Sequence, residues 1–443
     1  MTPAALLFFG SAAYIGLAHG SGLLLHLAAC AGLRKAEESG MLAELPQLHS
    51  DLEPPITLVL HVHDNAARAA ACTRALLALH YPALEVIVVN DGSQDRTMEA
   101  LRDAFELLPF PEAYRIQLPT QPVTQIYRST RHANLRVLDK QAGGCADAWN
   151  AGINAARTPL VCCIDCDISL QPDSLHSLAL PFLADADTSA STGALSKLSH
   201  DDRMSSRLAF VSALRSQLFA PLGWSALNAL LVAPSGVQLL RKEAVIEAGG
   251  YQVSRAAPEA GLLMRLHALA NAKQRPYRIV FVGEALGSRQ PLQQQTESER
   301  CRAWQRILLG SACSQRALLW RHQVRWQLRL AFVYLLLFEC LGPLLEVASY
   351  AWIAVAAATG LISSQACMIF LLFAVSTGTL LSLSALLLDA LSFRQARKLS
   401  EPRKLVASAV MENLGYRQMR AWWRTVELTS SLRRARAAGM TRA

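Results

Sequence analysis

An α/β domain on a mostly parallel sheet, joined to transmembrane helices at both ends, is the architecture this sequence predicts. Three observations predict it. From Pro54 onward short apolar strands alternate with helices. The stretch before Arg34 contains no Lys, Arg, Asp or Glu, and a second apolar region runs from Leu330 to Leu391. Composition agrees: 52% of the 443 residues are hydrophobic and only 17% are charged, against about 25% charged in ordinary soluble domains. A disordered chain and a coiled coil are excluded, and a purely soluble enzyme is disfavoured. The formal net charge of +9 suits nucleic acid, an anionic membrane face or a phosphorylated ligand. The positions of the basic residues decide among these.

Ala4 to Leu33 is almost wholly apolar or small, and Arg34 and Lys35 follow at once. A spanning helix needs about 20 such residues. Leu27-Ala28-Ala29-Cys30 has the pattern of a lipoprotein cleavage site, but a secretory signal opens with basic residues and has a shorter apolar core. With the positive charges after the run, the N-terminus is expected outside and residue 34 onward in the cytoplasm. Leu330 to Leu361 carries Glu339, Glu346 and Gly342-Pro343. It reads as one long kinked span, or as an interfacial helix followed by a span. Ala366 to Leu391 is a cleaner span holding Asp389. Arg316, Arg321, Arg325 and Arg329 precede this region, and Arg394, Arg397, Lys398, Arg403 and Lys404 follow it. Both flanks therefore belong inside, which needs an even number of crossings; two are predicted, three in all.

The expected division is a transmembrane helix over 1–35, a polar linker over 36–53 and a cytoplasmic domain over 54–310. A basic interfacial segment over 311–329, a transmembrane region over 330–392 and a basic amphipathic cytoplasmic tail over 393–443 follow. The chain is thus expected as a multi-pass protein of the cytoplasmic (inner) membrane. Most of the basic excess flanks the spans, so lipid headgroups account for it better than nucleic acid. The ten cysteines belong mostly to the cytoplasmic part and are expected as thiols. Cys162, Cys163 and Cys166 read as small core residues, because no second Cys/His pair has zinc spacing.

Within the soluble block, Ile56 to Val62 reads as a strand and Ala66 to Leu79 as a helix. Leu84 to Val89 reads as a second strand, followed by a helix from about Asp95 to Leu107. Continuous apolar strands between helices argue for a parallel sheet covered on both faces. Ligands of such sheets bind at the carboxyl ends of the strands. Asp91 follows Val86-Ile87-Val88-Val89-Asn90, and Asp165 and Asp167 follow Leu160-Val161-Cys162-Cys163-Ile164. In an extended segment residues i and i+2 face the same way, so Asp165 and Asp167 can converge on one cation. Hard oxygen ligands suit Mg²⁺ or Mn²⁺ held together with ligand phosphates. A lone Asp-x-Asp is usually a solvated turn; the buried strand before it and the second strand-end Asp favour a site.

These segments resemble family 2 glycosyltransferases. Tyr81-Pro82 leading to Glu85-Val86-Ile87-Val88-Val89-Asn90-Asp91-Gly92-Ser93 looks like their nucleotide-binding strand. Gly143-Gly144-Cys145-Ala146-Asp147-Ala148-Trp149-Asn150-Ala151-Gly152 is similar to their Gly-Gly-Lys-x-x-Ala-Leu-Asn-x-Gly segment. Asp165-Cys166-Asp167 with Pro172-Asp173-Ser174-Leu175 matches their metal motif, and Ser235-Gly236, Gly249-Gly250-Tyr251 and Arg265-Leu266 continue in order. Phe338-Glu339 to Tyr350 and Glu412-Asn413 to Gln418 resemble the membrane-anchored, cellulose-synthase-like branch. The resemblance implies a GT-A fold and inverting transfer from a nucleotide sugar, usually a UDP-sugar, to a glycan or lipid-linked acceptor in envelope polysaccharide synthesis. It implies that Asp91 contacts the nucleoside and that Asp165 and Asp167 hold ribose and metal.

Several positions depart from the family pattern. The Pro-x-Tyr-Asn-Glu type stretch is His61-Val62-His63-Asp64-Asn65, with Asn65 keeping a donor-side Asn; two His at i and i+2 could bind a metal, though a drifted loop is the plainer account. The Lys of Gly-Gly-Lys is Cys145, which cannot supply its charge. The acidic pair that carries the base aligns with Pro258-Glu259, which makes Glu259 the expected general base. The Gln-x-x-Arg-Trp motif reads Arg300-Cys301-Arg302-Ala303-Trp304. Trp304 is the candidate platform for an acceptor sugar, or else an interfacial aromatic, and Arg302 lies one position from the family's Arg. An active enzyme is the expectation; a non-catalytic scaffold or regulatory subunit of a polysaccharide machine is the alternative.

Overall fold

The computed structural model describes residues 3–38, 53–196, 203–234, 236–252, 261–289, 296–315, 324–392 and 401–440. The sheet strands are β1 (Ile56–Val62), β2 (Leu84–Asp91), β3 (Leu107–Pro109), β4 (Val123–Ser129), β5 (Leu135–Lys140), β6 (Leu160–Asp165), β7 (Ile168–Leu170), β8 (Thr188–Ser196), β9 (Gln238–Arg241) and β10 (Arg278–Arg289). Their order is β3-β4-β5-β2-β1-β6-β9-β8-β10-β7. The mostly parallel sheet expected from sequence is found in its centre, where β5, β2, β1 and β6 run parallel. Beyond β6 the sheet is mixed, because β9 pairs antiparallel with both β6 and β8.

Alternation along the central strands explains why both faces are covered. Ile56, Leu58 and Leu60 point to one side and meet Ala69 and Leu76 of the helix Ala66–Leu77 and Leu101 and Phe105 of the helix Thr97–Phe105. Val59, Ile87 and Val89 point to the other and meet Trp149 and Ile153 of the helix Cys145–Ala155. A strand with a period of two residues can serve two layers in this way only if it is apolar throughout. The Cys145–Ala155 helix lies so close to β1 that a Cβ at Gly152 would stand 2.2 Å from Val59 Cγ1. The small residue at that position of the motif is therefore a packing requirement.

Two helices, Pro3–Arg34 and Ser364–Ser392, are long and apolar enough to cross a membrane. The pair Trp326–Cys340 and Gly342–Ala358 passes the same test jointly but bends by 47° at its break. Leu24, Leu27, Leu372 and Leu387 are among their large apolar side chains left exposed. The N-terminal helix packs along Ser364–Ser392, where His19 and His26 lie 2.7 Å from Thr377 Oγ1 and Ser384 Oγ. It also enters the domain's own core through Ala29.

The tail expected as a basic amphipathic segment is two helices, Pro402–Met411 and Arg417–Met440, linked by a π-helical turn. It is docked rather than loose. Glu412 is fully buried, pairs with Arg215 at 3.0 Å and accepts from Ser382 Oγ at 2.8 Å. Arg417 pairs with Glu346 at 2.9 Å, and Arg424 donates to Gln305 Oε1 at 2.8 Å. These contacts tie the tail to the domain, to the bent pair and to the helix Glu297–Ser314. Most of the linker and part of the basic interfacial segment lie outside the described residues.

Candidate active site

The carboxyl ends of β1, β2, β5 and β6 converge, and each contributes a polar residue: His61, Asp91, Lys140 and Asp165. Sheet register places His61 directly opposite Asp165. The parallel strands end together, so residues far apart in sequence become neighbours.

Asp91 is 2% exposed. Its Oδ1 accepts from Lys140 Nζ at 2.7 Å and from the Gly143 amide at 2.9 Å, and its Oδ2 accepts from the Gly144 amide at 2.7 Å. Lys140 is itself buried and also pairs with Asp147 at 2.6 Å. Burial opposes the charge on Asp91, but His61, Lys140 and the Gly143 amide outweigh it and hold the carboxyl well below the usual range. The Asp91 carboxylate thus shapes the Gly143-Gly144 loop. Lys140 was missed in sequence. Its only signal is a cation closing the apolar strand Leu135–Lys140.

Removing one member of a buried ion pair leaves the other charge uncompensated, which typically costs about 3–5 kcal/mol. Lys140→Met should therefore lower the thermal-unfolding midpoint of the full chain sharply. Adding Asp91→Asn should restore part of the loss. A single variant as stable as wild type would remove the pair from the account.

Asp165 and Asp167 flank a turn, not a continuous strand: β6 ends at Asp165 and β7 starts at Ile168. The alternation argument for their convergence therefore stops at Asp165. Asp165 Oδ1 lies 3.3 Å from His61 Nδ1 and 3.4 Å from Cys145 Sγ. Asp167 Oδ2 lies 3.4 Å from Arg289 on β10, while its Oδ1 is buried without a hydrogen-bond partner among the described residues. Burial, with some repulsion from Asp165, raises the Asp167 carboxyl above its ordinary value. An unpartnered, desolvated carboxylate oxygen beside a second carboxylate fits a divalent cation of the Mg²⁺ or Mn²⁺ type. Burial alone would push the His61 imidazole down, but the attraction of Asp165 and Asp91 overcomes it and lifts the ring to about 9.

The remaining expected residues are dispersed. Asn65 precedes the helix Ala66–Leu77, and its amide donates to Thr97 Oγ1 at 2.9 Å. Trp304 lies on Glu297–Ser314, half-buried against a cluster that includes Met264, Leu308 and Phe332, so packing accounts for much of its surface. Arg302 is half-buried on the same helix. Glu259 lies outside the described residues, but the chain before it is fixed. Asn150 Nδ2 donates to the Tyr251 carbonyl and Asn150 Oδ1 accepts from the Tyr251 amide, both at 2.8 Å. Gly250 has φ +67°, and a Cβ there would meet Asn150 Oδ1 at 2.6 Å. The Asn of the first glycine motif thus locks the second. All ten cysteines are thiols, and Cys162, Cys163 and Cys166 are core residues as expected.

A parallel-centred sheet with an Asp-x-Asp turn at its carboxyl edge and a glycine-opened helix beside it defines a GT-A glycosyltransferase fold. Residues 57–247 match the family model described as glycosyl transferase family 2. It is 24% identical over 243 residues to the poly-β-1,6-N-acetyl-D-glucosamine synthase of Staphylococcus aureus (strain COL), covering 53% of this chain and 50% of that protein. It is 21% identical over 276 residues to the probable glycosyltransferase YdaM of Bacillus subtilis (strain 168), covering 62% of this chain and 54% of that one. The chain thus spans about half the length of these curated relatives. Among solved structures, the mannosyltransferase PcManGT of Pyrobaculum calidifontis, in complex with GDP-Man and Mn²⁺, superposes with a TM-score of 0.51 at 16% identity, covering 88% of this chain and 99% of that one.

Proposed function

We propose that the chain is a membrane-bound inverting glycosyltransferase. It moves a sugar from a nucleotide sugar, a UDP-sugar in our reading, to a glycan or lipid-linked acceptor in envelope or extracellular polysaccharide synthesis. The observation that carries this is the Asp165-Cys166-Asp167 turn at the strand ends, where an Asp167 oxygen is buried without a hydrogen-bond partner among the described residues. Asp165 and Asp167 would hold Mg²⁺ or Mn²⁺, which when bound supplies positive charge beside the leaving diphosphate. Asp91 fixes the Gly143-Gly144 loop on the donor side, next to the nucleoside, and Arg289 brings a guanidinium to within 3.4 Å of Asp167. Asn65 borders the donor side, and Trp304 and Arg302 the acceptor side. Glu259 takes the proton of the acceptor hydroxyl as its oxygen bonds to the anomeric carbon and the bond to the diphosphate breaks.

The test is transfer and donor hydrolysis by the purified protein across UDP- and GDP-sugars, with Mg²⁺ and with Mn²⁺. A second reading, a non-catalytic partner of other polysaccharide-synthesis subunits, draws on one observation. The neighbouring cation Lys140 is consumed by Asp91 and Asp147, so it does not replace the missing Lys. Nucleotide binding without transfer of any sugar would select that reading.

The membrane arrangement is part of the proposal: N-terminus outside, residues 34 to about 329 and 393 to 443 inside, and the bent pair and Ser364–Ser392 as two crossings. The Arg and Lys residues around the apolar runs support it. A reporter fused after Ala443 should read as cytoplasmic; an external signal would overturn the two-crossing arrangement.

A further inference from the structure

His61, Cys145 and Asp165 bring three different metal-binding atoms together, all within 4.8 Å of one another. We infer that these three side chains form a second metal site, of the zinc class, which shares Asp165 with the Asp167 site. An ion bound tetrahedrally by nitrogen, sulfur and oxygen at about 2.0–2.3 Å keeps its ligand atoms roughly 3.3–3.6 Å apart. Asp165 Oδ1 stands 3.3 Å from His61 Nδ1 and 3.4 Å from Cys145 Sγ. These distances accommodate such an ion with little movement, and the ion would replace the hydrogen bonds that now join the trio.

The surroundings are those of a metal-bound imidazole. The other ring nitrogen, Nε2, is buried and faces Asp91 Oδ2 at 3.8 Å. Asp91 is in turn fixed by Lys140 and two loop amides. At that distance Asp91 acts on the ring by charge, and a small closing of the gap would make the carboxylate–histidine hydrogen bond common behind ligating histidines. The backbone fixes all three ligands: His61 and Asp165 are partners in the β1–β6 register, and Cys145 opens the helix after the Gly143-Gly144 loop. The Asp165 side chain is 40% exposed, so the fourth position is left to water or to a ligand oxygen, as in open zinc sites.

The donor set chooses the ion. Thiolate with imidazole suits Zn²⁺ and Co²⁺, whereas Mg²⁺ takes oxygen ligands. Two of the sequence departures that weaken the family pattern, His61 and Cys145, are then two ligands of one site. This goes beyond the sugar-transfer reading, and its test does not depend on transfer.

The experiment uses the full, tag-free chain in detergent, stripped with a chelator and titrated with Co²⁺ and with Zn²⁺. Wild type should show a near-ultraviolet thiolate-to-cobalt band that saturates at one Co²⁺. Cys145→Ser should lose that band, and Cys72→Ser, a thiol outside the trio, should keep it. Cys145→Ser and His61→Gln should each weaken Zn²⁺ binding by at least about 10-fold, whereas Asp167→Asn should not. Unfolding profiles confirm that each variant is folded, and Cys145→Ser, a near-isosteric change, carries the test if His61→Gln is not. No saturable Zn²⁺ binding in wild type, or a band and affinity unchanged in Cys145→Ser, would overturn the site. Zn²⁺ binding as expected without any sugar transfer would uphold it while counting against the transferase reading.

Discussion

Glu259→Gln should lower sugar transfer by about 10² to 10⁴ with little change in donor affinity. Glu259 is the carboxylate aligned with the base of the family's acidic pair, since Pro258 replaces its neighbour. A carboxylate at that position is the group that would accept the acceptor's proton. Gln keeps the size and hydrogen-bonding shape but cannot take that proton. The segment's flanks are anchored on both sides. Asn150 holds the backbone of Tyr251 on one side. On the other, the helix Leu262–Ala272 buries Leu262, Leu263, Met264 and Leu266 and follows Gly261 at φ +88°. Arg265 also donates to the Gly250 carbonyl. Rapid-quench or product-release assays on both proteins check the prediction. If the longer arm of Glu is a defect, Glu259→Asp should raise activity. Transfer untouched by Glu259→Gln removes the residue from the mechanism, and no transfer by wild type with any donor, alongside intact UDP binding, favours the non-catalytic partner.

The half of the fold that builds the strand-end edge was legible because its signals are local. β1, β2 and β6 are apolar runs flanked by turn residues, and they fall where the alternation of strand and helix put them. β8 is Thr188–Ser196, a Ser, Thr and Ala stretch without an apolar run, and β9 has only four residues. Such strands are fixed by the partners they pair with, so the sheet's mixed half was not visible in sequence. The same holds within the site. Asp91, Asp165 and Asp167 stand out at strand ends, but the Lys140–Asp91 pair spans 49 positions and the His61–Asp165 contact spans 104. The tail shows the limit most plainly. Its basic excess suggested lipid headgroups, yet Glu412 anchors it through Arg215, far away in the chain. Net charge reports on surface potential and says nothing about which charges are buried against each other.

Asp167→Asn should abolish metal-dependent UDP binding and lower transfer by at least about 10²-fold, the loss typical of removing one group that stabilises developing charge. It should leave the fold intact, and the reason can be read from the charge balance. Burial and the nearby Asp165 raise the Asp167 carboxyl, and Arg289 at 3.4 Å only partly offsets them. A carboxylate whose folded pKa lies above its unfolded value contributes stability below the unfolded pKa, and that contribution is lost as pH rises through the folded one. At neutral pH the ionised Asp167 therefore weakens the fold, and a neutral Asn relieves the strain without leaving a hole. A bound cation relieves it too, and a ligand held only by the folded state raises the unfolding midpoint. Mn²⁺ with UDP should accordingly raise the midpoint of wild type and leave that of Asp167→Asn unchanged, while the variant alone melts no lower than wild type. Equal UDP affinity in both proteins, with and without metal, would show that Asp167 is not a ligand. A variant that melts well below wild type would show instead that its carboxylate belongs to the core.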